Sequence, residues 1–188
     1  MKTRAVAASI VLTLIIVSSA WTEPATKPSK PDVKTLAAYD RIKALAGQWE
    51  GKSSKGWTEI LDIEVIAGGS CVMEKSRFAH GEEPDSGMAT MYHLDGANLL
   101  LTHYCMAKNQ PRLKATEISD DGKTILFTFL DGTNMASRDV GHMDKVRIEF
   151  GDNPNEYKSQ WTFYAKGKEQ WMEAVTYRRI EKKAEATK

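Results

Sequence analysis

Five short turn sequences punctuate most of this chain: Gly68-Gly69, Asp95-Gly96, Asp121-Gly122, Asp152-Asn153-Pro154 and Lys166-Gly167. Glycine supplies the backbone freedom a tight reversal needs, and Asp and Asn bond their own backbone at such places. Between the breaks, strand-like runs fall at about 48–54, 57–67, 70–79, 86–94, 97–105, 111–120, 123–131, 142–151, 155–165 and 168–180. Ten short strands at regular spacing, with no helical pattern among them, predict an all-β domain. The expected form is an antiparallel up-and-down β-barrel of about ten strands. A meander sends the turns at 68–69, 95–96, 121–122 and 152–154 to one end. The longer stretches 80–85, 106–110 and 132–141 go to the other. One tight end and one loop-rich end suit a barrel that binds something.

The tightest of these turns also sets a register. Asp95-Gly96 as a two-residue loop pairs Leu94 with Ala97, Tyr92 with Leu99, Thr90 with Leu101 and Met88 with His103. Alternation then puts Met88, Tyr92, Leu94, Leu99, Leu101, His103 and Cys105 on the more apolar face, taken as the interior. Around Asp121-Gly122 the same count pairs Ile118 with Ile125 and Thr116 with Phe127, and turns Arg112 and Asp131 inward. On the strand after residue 141, Val146, Ile148 and Phe150 carry the apolar parity, which places Asp144 and His142 inside as well. The counts thus gather His103, Cys105, Arg112, Asp131, His142 and Asp144 at the loop-rich rim.

The chain before the barrel reads in three pieces. Residues 1–20 join a basic start at Lys2 and Arg4 to an apolar run and the small residues Ser18-Ser19-Ala20. That is the pattern of a secretory signal peptide cleaved near Ala20, and it is too short for a membrane span. Residues 21–31 carry three prolines and read as a flexible linker. Asp32 then caps a short helix with Val33, Leu36, Tyr39, Ile42 and Leu45 on one face, stopped by Gly47. Helix and barrel together occupy 32–181, and 182–188 form a charged tail. The expected location is secreted or periplasmic, with no integral membrane span after leader removal.

Charge narrows the partners. Loss of Lys2 and Arg4 with the leader lowers the 26 basic residues to 24, against 25 acidic ones. A balanced surface of this kind argues against nucleic acid. Two cysteines exclude a multi-bridge disulfide scaffold, and nothing in their spacing marks a metal motif. Cys71 starts a strand at the tight end and Cys105 ends one at the other, so the two are not expected to pair. Oligomeric state is left open.

Gly47-x-Trp49, opening a first strand after a short helix, resembles the lipocalin and wider calycin barrels. In that family the tryptophan lies at the closed end beneath a basic residue from the last strand, a part that Arg178 or Arg179 would take here. The segment LTHYC-x-x-x-NQPR, Leu101 to Arg112, is similar to uncharacterised secreted bacterial lipocalin-like proteins. Ten strands suit fatty-acid-binding-protein-like or nitrobindin-like barrels better than eight-stranded lipocalins. Nitrobindin-like proteins bind haem through a histidine, but their haem motif does not align with His142.

The sequence therefore predicts a barrel binding a partly apolar small molecule with a polar or anionic head. Arg112 with Asp131 would grip a carboxylate, and the histidines would anchor the ligand. The alternatives are an isomerase- or cyclase-type enzyme moving protons through His103 or His142, and a filled structural domain with no ligand. Covalent catalysis is disfavoured, because Cys105 and His103 stand two apart on one strand and no nucleophile signature is present. No cofactor is predicted. Haem, or zinc held by His103, His142, Cys105 and Asp144, are the cofactors the residues leave open. Trp161, Phe163 and Tyr157 share one inward parity, and Trp171, Val175 and Tyr177 another; alternation does not separate aromatics that fill the barrel from aromatics that line a pocket.

Overall fold

The computed structural model describes residues 29–78 and 87–181. The leader, most of the linker, the 80–85 connection and the 182–188 tail lie outside them. A single helix, α1 (Val33–Ala44), precedes ten strands. They are β1 (Gly47–Ser53), β2 (Thr58–Ile66), β3 (Cys71–Phe78), β4 (Gly87–Asp95) and β5 (Asn98–Tyr104). Then follow β6 (Gln110–Ile118), β7 (Thr124–Thr133), β8 (His142–Phe150), β9 (Glu156–Ala165) and β10 (Lys168–Arg179). Each pairs antiparallel with its sequence neighbours, and β10 pairs back onto β1, so the sheet closes as the turn spacing predicts. No helix among the described residues is long and apolar enough to cross a membrane.

Asp32 caps α1, its side chain accepting from the Thr35 N–H at 2.7 Å. Only the later turns of the helix pack: Ala38, Tyr39, Ile42 and Leu45 are buried, while Val33 and Leu36 are exposed. The expected face is thus correct from Tyr39 onward and wrong for the first turn, which overhangs the barrel.

Packing is densest at the tight-turn end. Trp49 is fully buried, gives its indole N–H to the Leu45 carbonyl at 2.7 Å, and meets the Tyr157 ring edge-on at 4.9 Å. The Arg179 guanidinium lies over the indole at 4.2 Å and donates to the carbonyls of Ala46 (2.7 Å) and Ala44 (3.1 Å). Gly47 makes room: with φ of +132° it suits no other residue, and a Cβ there would stand 2.6 Å from an Arg179 nitrogen. Above this floor sit Leu61, Ile63, Val72, Leu99, Leu101, Ile125, Phe127, Val146 and Ile148, all buried.

Register departs from expectation in two ways. In the β4–β5 hairpin Asp95 pairs with Asn98, Leu94 with Leu99, Tyr92 with Leu101 and Thr90 with His103. The loop residues are Gly96 and Ala97, with positive φ at Gly96 alone, as in a II′ turn. Every partner therefore moves by two residues, and because strand parity has a period of two, the inward set is preserved.

The second departure changes faces. Register steps fall at Thr116 on β6, between Ala115 and Glu117, at Leu130 on β7, opposite Arg112 and Leu113, and at Asp144 on β8, between Met143 and Lys145. Each inserts a residue that alternation cannot foresee. Pro111 and Leu113 are buried instead of Arg112, and Met143 turns to the interior in place of Asp144. The expectation that Arg112 and Asp131 face inward is corrected accordingly.

The floor generates a prediction. Arg179→Ala removes a cation–π contact and two bonds to helix carbonyls, and is expected to cost about 2 kcal/mol. Exposed Arg178, which pairs with Glu156 at 3.3 Å, serves as the control and its loss should move Tm little. Thermal unfolding of both variants checks this; equal effects would show that the stack contributes nothing special.

Candidate ligand cavity

Inward parity, followed from the closed end toward the loop-rich end, changes character on strand after strand. On β2, Ile63 and Leu61 lead to Glu59; on β3, Val72 leads to Glu74 and Ser76; on β10, Tyr177 and Val175 lead to Glu173. On β4 Tyr92 gives way to Thr90 and Met88, and on β5 Leu101 gives way to His103. The lower half of the barrel is filled. The upper half encloses a cavity of about 570 Å³, within the usual range for small-molecule sites. Trp57, Phe78, Met88, Met106, Met143 and Trp161 supply its apolar wall, and Trp57 meets Phe78 edge-on at 5.2 Å.

Three carboxyl groups and one imidazole face this space. Glu59 accepts from the Tyr177 hydroxyl at 2.7 Å, and Glu74 from the Tyr92 hydroxyl at 3.3 Å. One oxygen of Glu173 takes the Trp57 indole N–H at 2.8 Å and the Ser53 hydroxyl at 2.9 Å. His103 is 4% exposed; its Nδ1 lies 3.0 Å from the Thr90 hydroxyl, and its ring sits 5.0 Å from that of Trp161. Its buried Nε2 has no hydrogen-bond partner among the described residues. No lysine or arginine is among the described residues lining the cavity.

Burial governs how these groups hold protons, because a charge loses its water on entering the wall. Burial pushes Glu59 up to about 7; the Tyr177 bond opposes the shift and the Glu173 charge adds to it. Glu74 rises to about 8, first from burial and then from the Glu59 charge, against the bonds from Tyr92 and Thr90. Burial lowers His103 to about 4, so it is neutral at pH 7. Tyr92, Tyr157 and Tyr177 are pushed well up by burial first and the nearby glutamates second, and stay neutral too.

The six residues expected to form one rim cluster separate into four places. His103 alone lines the cavity. Cys105 opens the β5–β6 loop, its sulfur accepting the Ala107 N–H at 3.4 Å; burial raises its pKa, so it is a neutral thiol. It and Cys71 are both free. Arg112 and Asp131 make a two-point ion pair, one contact at 2.6 Å, with both side chains largely in solvent.

His142 and Asp144, both buried, instead bind the Arg138 guanidinium, which is held between the rings of Phe129 (4.0 Å) and Tyr164 (4.1 Å). His142 Nδ1 donates to the Val140 carbonyl at 2.5 Å, which leaves Nε2 to accept from Arg138. None of the three lines the cavity. Sequence reasoning passed over Glu59, Glu74 and Glu173. Each nevertheless stands at even spacing from a buried apolar residue on its strand, which was the available signal.

Among the described residues no group of three or more His, Cys, Asp and Glu side chains is placed to hold a metal ion. His103 Nε2 has the chemistry of an axial haem ligand, but haem propionates would meet three glutamates and no described cation. Haem does not fit this lining.

No protein-family model and no curated protein sequence matches the chain. Solved structures do. One is a protein of unknown function from the DUF3598 family of Nostoc punctiforme, with 14% identity and a TM-score of 0.49. The match covers 74% of this chain and 49% of that one, so the chain spans about half its length. The other is Rv2717c from M. tuberculosis, with 14% identity, a TM-score of 0.51, and coverage of 77% of this chain and 98% of that one. At such identity the likeness to Rv2717c shows the fold alone, a closed barrel consistent with a calycin-like architecture.

The raised carboxyls make stability depend on pH. Glu59 and Glu74 hold protons in the folded state that the unfolded chain has already lost above its ordinary carboxyl value. Their contribution is complete below that value and is lost as pH rises through about 7 and about 8. His103 has the opposite sign and acts only on the acid side, as pH falls from 6.5 toward about 4. The Tm of the ligand-free protein should therefore fall from about pH 6.5 to about pH 8.5, and Glu74→Gln should remove much of the slope. A wild-type Tm that is flat over this window contradicts the assignment.

Proposed function

We propose that this chain is an exported small-molecule-binding barrel that takes an apolar or aromatic ligand into the upper half of its interior. The observation that carries the reading is the contrast within one barrel. Its lower half is packed solid, while its upper half keeps about 570 Å³ behind aromatic and methionine walls with convergent polar groups. A barrel serving only as a scaffold gains nothing from such a space, since unfilled volume costs stability. Export rests on the leader-like residues 1–20.

The polar groups favour a ligand that donates hydrogen bonds over one with an anionic head. Arg112, which suggested an anion, lies outside paired to Asp131, and the described lining offers carboxyl oxygens and the His103 Nε2. Proton transfer is a second reading with one residue behind it. His103 faces the cavity, whereas His142 has both ring nitrogens engaged away from it.

N-phenyl-1-naphthylamine, a neutral apolar fluorophore, tests the cavity directly. Its emission should rise on mixing with wild type, and Met88→Trp, which fills the space from the β4 wall, should abolish the rise without unfolding the protein. Recovery of bound molecules unchanged separates binding from turnover. Undiminished binding by Met88→Trp would place the site elsewhere.

A further inference from the structure

The cavity holds more acid than a neutral ligand needs. Glu59 on β2, Glu74 on β3 and Glu173 on β10 face one space, and no described lining residue carries a compensating positive charge. Each glutamate is held by one partner set on one oxygen: Glu59 by Tyr177, Glu74 by Tyr92, Glu173 by Trp57 and Ser53. The second oxygens of Glu59 and Glu173 make no hydrogen bond among the described residues, and Thr90 is a further partner of Glu74. Beside them His103, nine-tenths buried and more, carries an Nε2 with no partner. Hydroxyl and indole donors thus fix the carboxyls from behind, and their free oxygens are left for something else.

Resting on the cavity reading above, the geometry points to an organic monocation as the ligand: an aromatic or apolar body bearing an ammonium group, which sits among Glu59, Glu74 and Glu173. The walls agree with the head. Trp57, Phe78 and Trp161 offer ring faces, and a cation over an aromatic ring gains most where water is excluded. An anion would meet carboxyl groups on three sides and no described cation. For a bare metal ion, the described residues offer no group of three or more His, Cys, Asp and Glu side chains placed to hold it.

The apo state and the bound state then differ by protons. Without ligand, Glu59 and Glu74 limit their mutual repulsion by holding protons into the neutral range, as burial makes them do. When the ammonium enters, the positive charge favours the carboxylate, and the displaced proton leaves to solvent. The other groups facing the site do not interfere. His103 is neutral above about pH 5, and Tyr92, Tyr157 and Tyr177 stay protonated. Glu173 is the remaining ionisable group among the described lining residues. Ligand uptake is thus an exchange of cation for proton, favoured by raising pH and reversed by acid.

Three probes with one indole body and different heads test this: tryptamine (ammonium), tryptophol (hydroxyl) and indole-3-propionate (carboxylate). Calorimetric titration of the full mature chain in buffers of different ionisation enthalpy reads both affinity and protons released. Tryptamine should bind about tenfold or more tighter than tryptophol near neutrality, with indole-3-propionate weakest. Its affinity should climb several-fold from about pH 6 to about pH 8 with net proton release at the lower pH, while that of tryptophol does not climb. Glu74→Gln should cost tryptamine about tenfold and leave tryptophol within about twofold, which shows that the cavity itself survives.

Tryptophol or indole-3-propionate binding as tightly as tryptamine would overturn the cation and leave the cavity reading standing. So would N-phenyl-1-naphthylamine binding with none of the three indoles. Tryptamine binding without proton release overturns the exchange. Failure of all four probes overturns both readings.

Discussion

A ring of ten strands has two open edges until its first strand meets its last, and one arginine holds that meeting. Arg179 stands opposite Trp49 across the β1–β10 seam, covers the indole, and ties both strands to the end of α1 through two helix carbonyls. An arginine suits the place because its flat face can stack while its edge donates. The contact joins three elements distant in sequence and satisfies carbonyls that the end of a helix leaves without partners. Everything above it inherits its position from this floor.

With the floor closed and packed, the barrel has no need of apolar side chains higher up, and its interior turns polar. That change is costly, because carboxyls behind a protein wall have lost most of their water. The structure limits the cost in two ways. Tyr177, Tyr92, Trp57 and Ser53 each give a hydrogen bond to a carboxyl, and burial raises Glu59 and Glu74 until they titrate near neutrality. The chamber is therefore held near neutrality while empty, yet it can develop negative charge when a cation arrives to oppose it.

Much of the fold was legible in local chemistry. Glycine-containing turns and period-two alternation locate all ten strands within a residue or two, and the G-x-W opening points to the Trp49 stack, with Arg179 rather than Arg178 as its cover. What alternation cannot carry is a single inserted residue. The steps beside Arg112, Ala115 and Met143 reverse the facing of everything beyond them, so Arg112 and Asp131 reach solvent and Asp144 joins a separate cluster. Only His103, on β5 where the parity holds throughout, stays in the cavity. The three glutamates were within reach of the same argument on β2, β3 and β10. They were passed over because a charged residue at the end of an apolar parity reads as the strand leaving the core. Whether an interior is hollow depends on the fit of side chains from ten strands at once, and no local pattern records it.

The central claim is that Glu59 and Glu74 of the empty chamber hold protons into the neutral range. Carbon-13 NMR titration of the glutamate side chains in the ligand-free protein, assigned with Glu59→Gln and Glu74→Gln, measures this without any assumption about the ligand. Two carboxyl resonances should titrate near neutrality or above, well over the ordinary glutamate value. Titration of every glutamate in the ordinary acidic range would contradict the account.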